Sequence, residues 1–440
     1  MTNRRGSTPF YRLYCGLAAA ASPLAWRRVR AKLQAEGIAP DRMAERMGRA
    51  TLARPEGQLF WFHAASVGES VSALALIEKV LELNPGAHAL VTTGTAGSAQ
   101  VLAKRLPERA LHQFAPLDTA RALRRFFRHW RPDAGIFVES ELWPQMIVRA
   151  RATGMRLALV NARLSKSSLR NWRRFGTTFR FLLDQFCLIR TQDEATLEAL
   201  LELGADRSRV ARGPNLKSMI SPPPAPAQVL AELAPQFNKL FWAAAATHPG
   251  EEDAVIEAHL AAREALGRPD LQLLLIPRHP HRAAEIAAMI RDRGLSVSQR
   301  SRGQAPGGDV YLADTLGEMG LWYSLSPLAF LGGSLVPVGG HTPYEPACFG
   351  TPILHGPHYE NFAEVYAAFD QSGAARQIED AAELGREVAR LLADGTELAR
   401  MSEIARGLAD GRGARITHVA EELLQALSST APAADAGPLR

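Results

Sequence analysis

The chain has 440 residues, enough for two domains of ordinary size, each with its own core. Its 47% hydrophobic and 22% charged residues are those of a globular protein, and Cys15, Cys187 and Cys348 stand too far apart for a disulfide framework or a metal-type pair, which suits a reducing compartment. Of the net charge of +6, residues 1–60 supply +7 (eleven Lys/Arg against four Asp/Glu), so a basic arm precedes a near-neutral body and points to an anionic partner, membrane or nucleic acid.

Phe10 to Trp26 is apolar apart from Arg12 and Ser22, and Arg27, Arg28, Arg30 and Lys32 follow. The run is shorter than the roughly 20 apolar residues of a spanning helix. Residues 1–32 read as an anchor that dips into one leaflet, with its cations at anionic headgroups. The plainer alternative is a core helix with a solvated basic face. From Leu59 strands and helices alternate. Strands are expected at Leu59–His63, Ala87–Thr92, Ala134–Val138, Arg156–Val160 and Phe186–Arg190, and helices at Val71–Leu83, Ala96–Leu106, Thr119–Trp130 and Ala195–Leu203. Such alternation predicts a parallel sheet covered on both faces, in a first domain over 33–221. Pro222, Pro223, Pro224 and Pro226 make 222–228 a stiff linker. A second domain, 229–427, has strands at Leu240–Ala245, Leu271–Ile276, Val310–Leu312, Leu328–Leu331 and Ile353–His355. The whole reads as α/β, two Rossmann-like halves with a cleft at their strand ends. Residues 428–440, rich in Ala, Pro, Ser and Gly, read as disordered.

Several strand ends carry chemistry. Gly68 and Glu69 follow the first strand, where Glu69 is either a reactive acid or a helix-start residue favoured by the dipole. VTTGTAGS (91–98) offers hydroxyls that serve an acceptor or only cap a helix. Glu139-Ser140-Glu141 puts two carboxylates in three residues, most simply an exposed acidic turn. Asn161–Ser165 ends the next strand, and Gly213-Pro214-Asn215-Leu216-Lys217 leads to the linker. In the second domain, Thr247–Glu252 follows the first strand, and Pro277-Arg278 aims a guanidinium suited to phosphate. Asp314-Thr315-Leu316-Gly317-Glu318 makes a further loop. The richest stretch is 328–361. An apolar strand meets Gly332-Gly333, then Gly339-Gly340, and then a helix start with Thr342 as N-cap, Pro343 at the first position, Tyr344 next and Glu345 closing a capping box. Backbone N–H groups there suit an anion, while the glycines and Glu345 also read as turn and cap alone. Five polar residues, His341, Glu345, His355, His358 and Asn361, favour a ligand. The histidines lack the HExxH spacing and there is no Asp-x-Asp box, so neither a catalytic metal nor a cofactor is expected. Arg121, Arg124, Arg125, Arg128 and Arg131 alternate with Phe126, Phe127 and Trp130 at helical spacing. The arrangement invites a nucleic-acid reading, and its helical spacing equally fits core aromatics with solvated arginines.

These boxes resemble the bacterial 3-deoxy-D-manno-octulosonic acid (Kdo) transferases. GGSLVPVGGHTPYEP and GPHYENF are similar to the family's donor-nucleotide segment, with Thr342 in place of Asn. WFHAASVGES, ESELWP, GPNLK, THPGEE (Ala246 replacing Ser before it) and DTLGEM match further boxes in order. The resemblance implies a GT-B fold and metal-independent, inverting transfer of Kdo from CMP-Kdo to a lipid A precursor, lipid IVA, at the cytoplasmic face of the inner membrane, with no nucleic acid as partner. It implies Glu69 as general base, Glu141 near the reacting centre and Lys217 facing the transferred sugar. Pro277, Arg278, Leu316, Gly317, Glu318 and Thr342–Glu345 would bind CMP. A transferase using a UDP-sugar and a catalytically silent lipid- or RNA-binding protein are the alternatives.

Overall fold

The computed structural model describes residues 7–139, 142–219 and 226–428. The chain forms two units, residues 1–219 with 414–440 and residues 220–413. Prolines 222–224, most of the terminal segment 428–440, and Glu141 lie outside the described residues.

In the first unit, β1 (Leu59–His63), β2 (His88–Thr93), β3 (Ala110–Phe114), β4 (Ala134–Val138), β5 (Arg156–Ala162), β6 (Phe186–Thr191) and β7 (Val210–Arg212) form one sheet in the order β3-β2-β1-β4-β5-β6-β7. Every pairing is parallel. Because helices cover both faces, LFWFH in β1 and AGIFV in β4 are buried at every position. One face packs Phe62, Ile136 and Val160 on Leu76 and Val80; the other packs Trp61, Phe137 and Leu159 on Phe126, Trp130 and Phe179. The strand order reverses between β1 and β4, and in such sheets ligands gather outside the carboxyl ends of the strands at that point.

The second unit has β8 (Phe241–Thr247), β9 (Gln272–Pro277), β10 (Val297–Gln299), β11 (Val310–Leu312), β12 (Ala329–Leu331), β13 (Ile353–His355) and β14 (Ala375–Gln377), ordered β10-β11-β9-β8-β12-β13-β14 and again all parallel. Its reversal lies between β8 and β12. The sequence anticipates the ten inner strands and misses β3, β7, β10 and β14, which are the four edges of the two sheets. An edge strand is covered along one flank only. These four are accordingly short or half-polar, with partly exposed positions in each.

The expected second domain, 229–427, is corrected at its C-terminal end. The helix Gly395–Ser428 buries Met401, Ala405 and Ala409 in the second unit. From residue 414 it belongs to the first, where Ile416, Val419, Ala420 and Leu423, at helical spacing, join the β1–β4 core. Fully burying each larger side chain contributes about 1.5–3 kcal/mol. Arg190 of β6 pairs with Glu422 on the same segment.

The first helix, α1 (Pro9–Ala35), is capped by Thr8, whose hydroxyl accepts from Tyr11 N at 3.2 Å, with Pro9 in the first turn. Only Tyr11 and Leu33 are buried. Tyr11 packs on Phe181 and Leu182, and Leu33 on Met43 and Phe114. Leu13, Leu17 and Leu24 are 57%, 61% and 54% exposed, so α1 is not the core helix that one reading offered. Among the described residues, no helix is long and apolar enough to cross a membrane.

Candidate active site

In the first unit the ends of β4 and β5 meet the 213–219 segment, which also packs on the helix Val67–Leu83 that follows β1. Ser66 caps the helix Val67–Leu83, and Glu69 completes a capping box: Glu69 N donates to Ser66 Oγ at 3.4 Å, while Ala65 N and Ser66 N donate to Glu69 Oε2 at 2.8 and 3.4 Å. The helix therefore starts four residues before the expected Val71. Gly68 has no atom within 4 Å of where a Cβ would stand, so the fold itself does not demand glycine there. Thr95 caps the next helix through Ser98 N at 3.2 Å, which gives the 91–98 loop a capping role.

Glu139 and Asn161, which follow or end β4 and β5, both have left-handed backbone, with φ of 59° and 55°. Such conformations cost a non-glycine residue of order 1–3 kcal/mol and gather where a site needs a side chain re-aimed. Here the two side chains meet. Asn161 Nδ2 donates to Glu139 Oε1 at 3.3 Å, and Asn161 Oδ1 accepts from Leu216 N at 3.1 Å. Lys217 Nζ lies 2.9 Å from the same Glu139 oxygen. Of the paired acids in this box the sequence singles out Glu141, which lies outside the described residues; among the described residues Lys217 pairs with Glu139. Asp118, which no motif marks, is buried against the start of the helix Pro144–Ala152. It accepts from Gln145 N at 3.1 Å, Met146 N at 2.6 Å and the Tyr14 hydroxyl at 2.8 Å. Burial pushes its carboxyl up and these three bonds pull it down.

In the second unit the glycine-rich turn after β12 is already occupied. Glu251, fully buried, accepts from Gly333 N at 2.7 Å, Ser334 N at 3.0 Å, Leu335 N at 2.9 Å and His248 N at 2.9 Å. The expected anion in this cradle is the chain's own carboxylate. Gly332 is required by packing, since a Cβ would stand 2.7 Å from Ala246 O and 2.9 Å from Glu251 Oε2. Beside it the rings of His248 and His341 stack at 5.2 Å, with their Nε2 atoms 2.9 Å apart. Burial, then the charge of Arg278, lowers His341 to about 4; burial also lowers His248, against the pull of Glu251. At neutral pH the pair is uncharged, one ring donating to the other.

Arg278 follows Pro277, the last residue of β9, and is exposed; its N–H donates to Thr247 O at 2.9 Å. The expected helix at Thr342 begins later and is short, Tyr344–Ala347, with Pro343 in the capping position. Thr342 is no cap: its hydroxyl is buried without a hydrogen-bond partner. Tyr344 is buried under the Arg412 guanidinium, 5.7 Å from the ring centre. Glu345 and Arg278 both act on the buried Tyr323 phenol, whose pKa is raised mainly by burial. Leu316 is 81% exposed at the tip of the 314–318 turn, beside Gly317 at φ 87°. Glu318 is engaged within the protein: Arg300 grips it with bonds of 2.7 and 3.1 Å, and the Thr315 hydroxyl donates to it. The remaining polar residues of the 328–361 stretch hold loops together. His355 bonds Asp370 at 3.0 Å, Asn361 Nδ2 donates to Val338 O at 3.2 Å, and His358 is 3.8 Å from Glu360. Among the described residues, no group of three or more His, Cys, Asp or Glu could hold a metal ion.

Residues 41–220 match the family model described as 3-deoxy-D-manno-octulosonic-acid transferase (kdotransferase). The chain is 36% identical over 393 residues to the 3-deoxy-D-manno-octulosonic acid transferase of Bordetella pertussis, covering 87% of this chain and 90% of that one. It is 33% identical over 410 residues to a probable mitochondrial 3-deoxy-D-manno-octulosonic acid transferase of Arabidopsis thaliana, covering 87% and 88%. A glycosyltransferase structure from Rickettsia africae covers 86% of this chain and all (100%) of its own at a TM-score of 0.57 and 12% identity, a likeness of fold alone. The two parallel α/β units carry the boxes in the order the sequence places them, and with relatives this similar over most of its length the chain belongs to the 3-deoxy-D-manno-octulosonic acid (Kdo) transferases, a glycosyltransferase family.

Proposed function

We propose that the chain transfers Kdo from CMP-Kdo to a phosphorylated lipid A precursor, with Glu69 as general base. The observation that carries this reading is the set of polar side chains at the strand ends where β1 and β4 adjoin, in a chain of this family: Glu69 after β1, and Glu139 after β4 paired with Lys217 at 2.9 Å. Glu69 would take the proton of an acceptor hydroxyl as that oxygen forms its bond to the anomeric carbon. The bond from that carbon to the CMP phosphate breaks in the same displacement, which inverts the centre. Ala65 N and Ser66 N fix the carboxylate before the substrate arrives. A positioned base of this kind contributes typically about 10²–10⁴-fold. Lys217, held by Glu139, supplies a fixed cation for the negative charge that grows on the departing phosphate.

Donor binding is assigned to the second unit, through Pro277, Arg278, the 316–318 turn and residues 342–345. The exposed Leu13, Leu17 and Leu24 of α1, with five Lys/Arg and no acid between residues 9 and 35, support seating on an anionic membrane at the cytoplasmic face of the inner membrane. The test is transfer from CMP-Kdo to a lipid A precursor, read by mass spectrometry, beside parallel reactions with UDP-sugars. A mass increase of one or more Kdo residues from CMP-Kdo alone supports the reading. Transfer from a UDP-sugar, or none at all, overturns it.

A further inference from the structure

The N-terminal end of α1 helps to close a cavity that the polar site does not use. It measures about 370 Å³, and its walls include Phe10 and Tyr14 of α1, Trp143 and Pro144 from the β4 loop, and Trp172 and Phe175 around the end of the helix Lys166–Arg174. That volume is at the lower end of small-molecule sites, roughly 300–1,000 Å³, and suits one slender apolar group. The walls are mostly aromatic, with Leu142 and Asn171 also among them. Phe10 stacks on Phe175 with ring centres 4.0 Å apart, and the only polar side-chain atom of Tyr14 is taken by Asp118 at 2.8 Å. Trp143 and Phe175 nonetheless remain 42% and 39% exposed. Rings of this size are normally buried, and exposed together they mark a binding surface.

Two further observations say what covers them. On α1 the exposed Leu13, Leu17 and Leu24 follow Phe10 at helical spacing, so an apolar stripe runs from the cavity along the helix. The surroundings are also strongly basic. Residues 163–175 contain five Lys/Arg and no acid, and Arg170 and Arg174 are exposed. An apolar cavity beside a cationic helix is complementary to an acyl chain carrying a phosphorylated headgroup. A peptide would ask for several backbone partners, and these walls offer the single amide side chain of Asn171. Trp143 is four residues beyond Glu139, and four residues of chain span at most about 14 Å. The cavity wall at Trp143 is thus near enough for the headgroup of a lodged chain to reach the strand ends where Glu139 and Lys217 meet.

We infer that this cavity receives one acyl chain of the phosphorylated lipid acceptor and sets which acceptors are used. The inference rests on the functional reading above. It predicts that, with acceptors differing only in acyl length, KM rises about fourfold for each methylene removed, the factor corresponding to about 0.8 kcal/mol per buried CH₂. In Phe175→Ser and Trp143→Ala, chosen because both side chains are partly exposed, that dependence should flatten. Transfer to a deacylated acceptor should stay within about twofold of wild type, far below the per-chain effect. Circular dichroism melts check that both variants fold, and either folded variant suffices. An unchanged chain-length dependence in the folded variants overturns the acyl site alone. Loss of transfer that is equal for acylated and deacylated acceptors overturns it too. If no acceptor is used by wild type, the functional reading and this inference fall together. A wild type that sediments as a dimer which Phe175→Ser dissociates would make the occupant a second copy. Weaker vesicle binding by the variants with unaltered acceptor kinetics in detergent would make it a bulk membrane lipid. Both results overturn the inference.

Discussion

Lys217 Nζ lies 2.9 Å from Glu139 Oε1, and the carboxylate that holds it projects from a residue with left-handed backbone. The Glu139 side chain is 11% exposed and that of Lys217 31%, so water screens the pair only in part. Glu139→Gln should therefore leave a poorly compensated ammonium and cost about 1.5–3 kcal/mol of stability, the range for hydrogen bonds to charged groups. If the pair also aims Lys217 at a departing phosphate, single-turnover transfer measured well below the melting temperature falls by more than the unfolded fraction explains. Activity that simply follows the melting curve would make the pair structural.

Glu251 collects four N–H groups, three of them from the turn 333–335. Glu251→Gln turns an amide NH₂ toward donors or leaves some of them unpaired. Each buried unsatisfied group costs roughly 1–3 kcal/mol, so the expected loss is of order 3 kcal/mol. Denaturant unfolding measures it. A change below about 1 kcal/mol, less than one lost group, would show that water replaces the carboxylate without strain.

How much of this was legible in the sequence depended on how far burial constrains each segment. Inner strands are covered on both faces and flanks, so AGIFV is apolar throughout and LFWFH apart from His63, which bonds Thr92, and the alternation with helices is plain. Edge strands break the apolar run and read as loops: ALHQF (β3) buries the polar His112 and Gln113, and ARQ (β14) sets Arg376 and Gln377 at partly or fully exposed positions. The site boxes were visible as residue types, while their partners were not. ESE does not say that Glu139 pairs with Lys217. That depends on the left-handed turn at Glu139, which a glutamate does not advertise. The GG turn looked like an open anion cradle because nothing local reveals that Glu251, 82 positions away, fills it. Likewise the apolar spacing of Ile416, Val419 and Leu423 predicts a helix face but not the unit that buries it.

Three histidines, His112 and His259 buried and His341 partly buried, set an acid limit. Burial lowers His341 and His259 to about 4 and His112 to about 3, from 6.5. Each folded-state value is depressed, so the unfolded chain binds more protons between the two pKa values, and stability falls as pH drops from about 6.5 toward 4. Above 6.5 the neutral rings contribute no further pH dependence. His341→Gln cannot be charged and should show a shallower decline across that window than wild type. Parallel melting curves at pH 7, 6, 5 and 4 decide it; equal slopes would mean that His341 titrates alike in both states.

The leucines of α1 separate membrane seating from fold stability. At 54–61% exposure, Leu13, Leu17 and Leu24 have little to lose from substitution in the folded chain. The triple change to Gln should move the melting temperature little. If the stripe inserts in a leaflet, burial worth roughly 1.5–3 kcal/mol per leucine disappears, and binding to anionic vesicles should fall at least tenfold. This test leaves the contact between Tyr14 and Asp118 intact, which deletion of residues 1–32 would break. Flotation of the triple variant equal to wild type would remove α1 as the membrane contact.

Glu69→Gln weighs the catalytic reading of that residue against the capping box. The box is real: Glu69 Oε2 accepts from Ala65 N at 2.8 Å and from Ser66 N at 3.4 Å, and Ser66 Oγ accepts from Glu69 N. Gln keeps an oxygen at that distance from the backbone and serves in capping boxes, so the helix start survives and the stability change should stay below about 1 kcal/mol. What Gln lacks is basicity, because an amide cannot take the acceptor's proton at neutral pH. If Glu69 is the base, turnover should drop about 10²–10⁴-fold, or roughly 3–5 kcal/mol of barrier, with CMP affinity unchanged. Single-turnover transfer, calorimetric titration with CMP and circular dichroism melts on one preparation read the three quantities apart. A folded variant that binds CMP normally and turns over within about threefold of wild type, well short of the general-base effect, would leave Glu69 as a helix cap and send the search for the proton acceptor to Glu139.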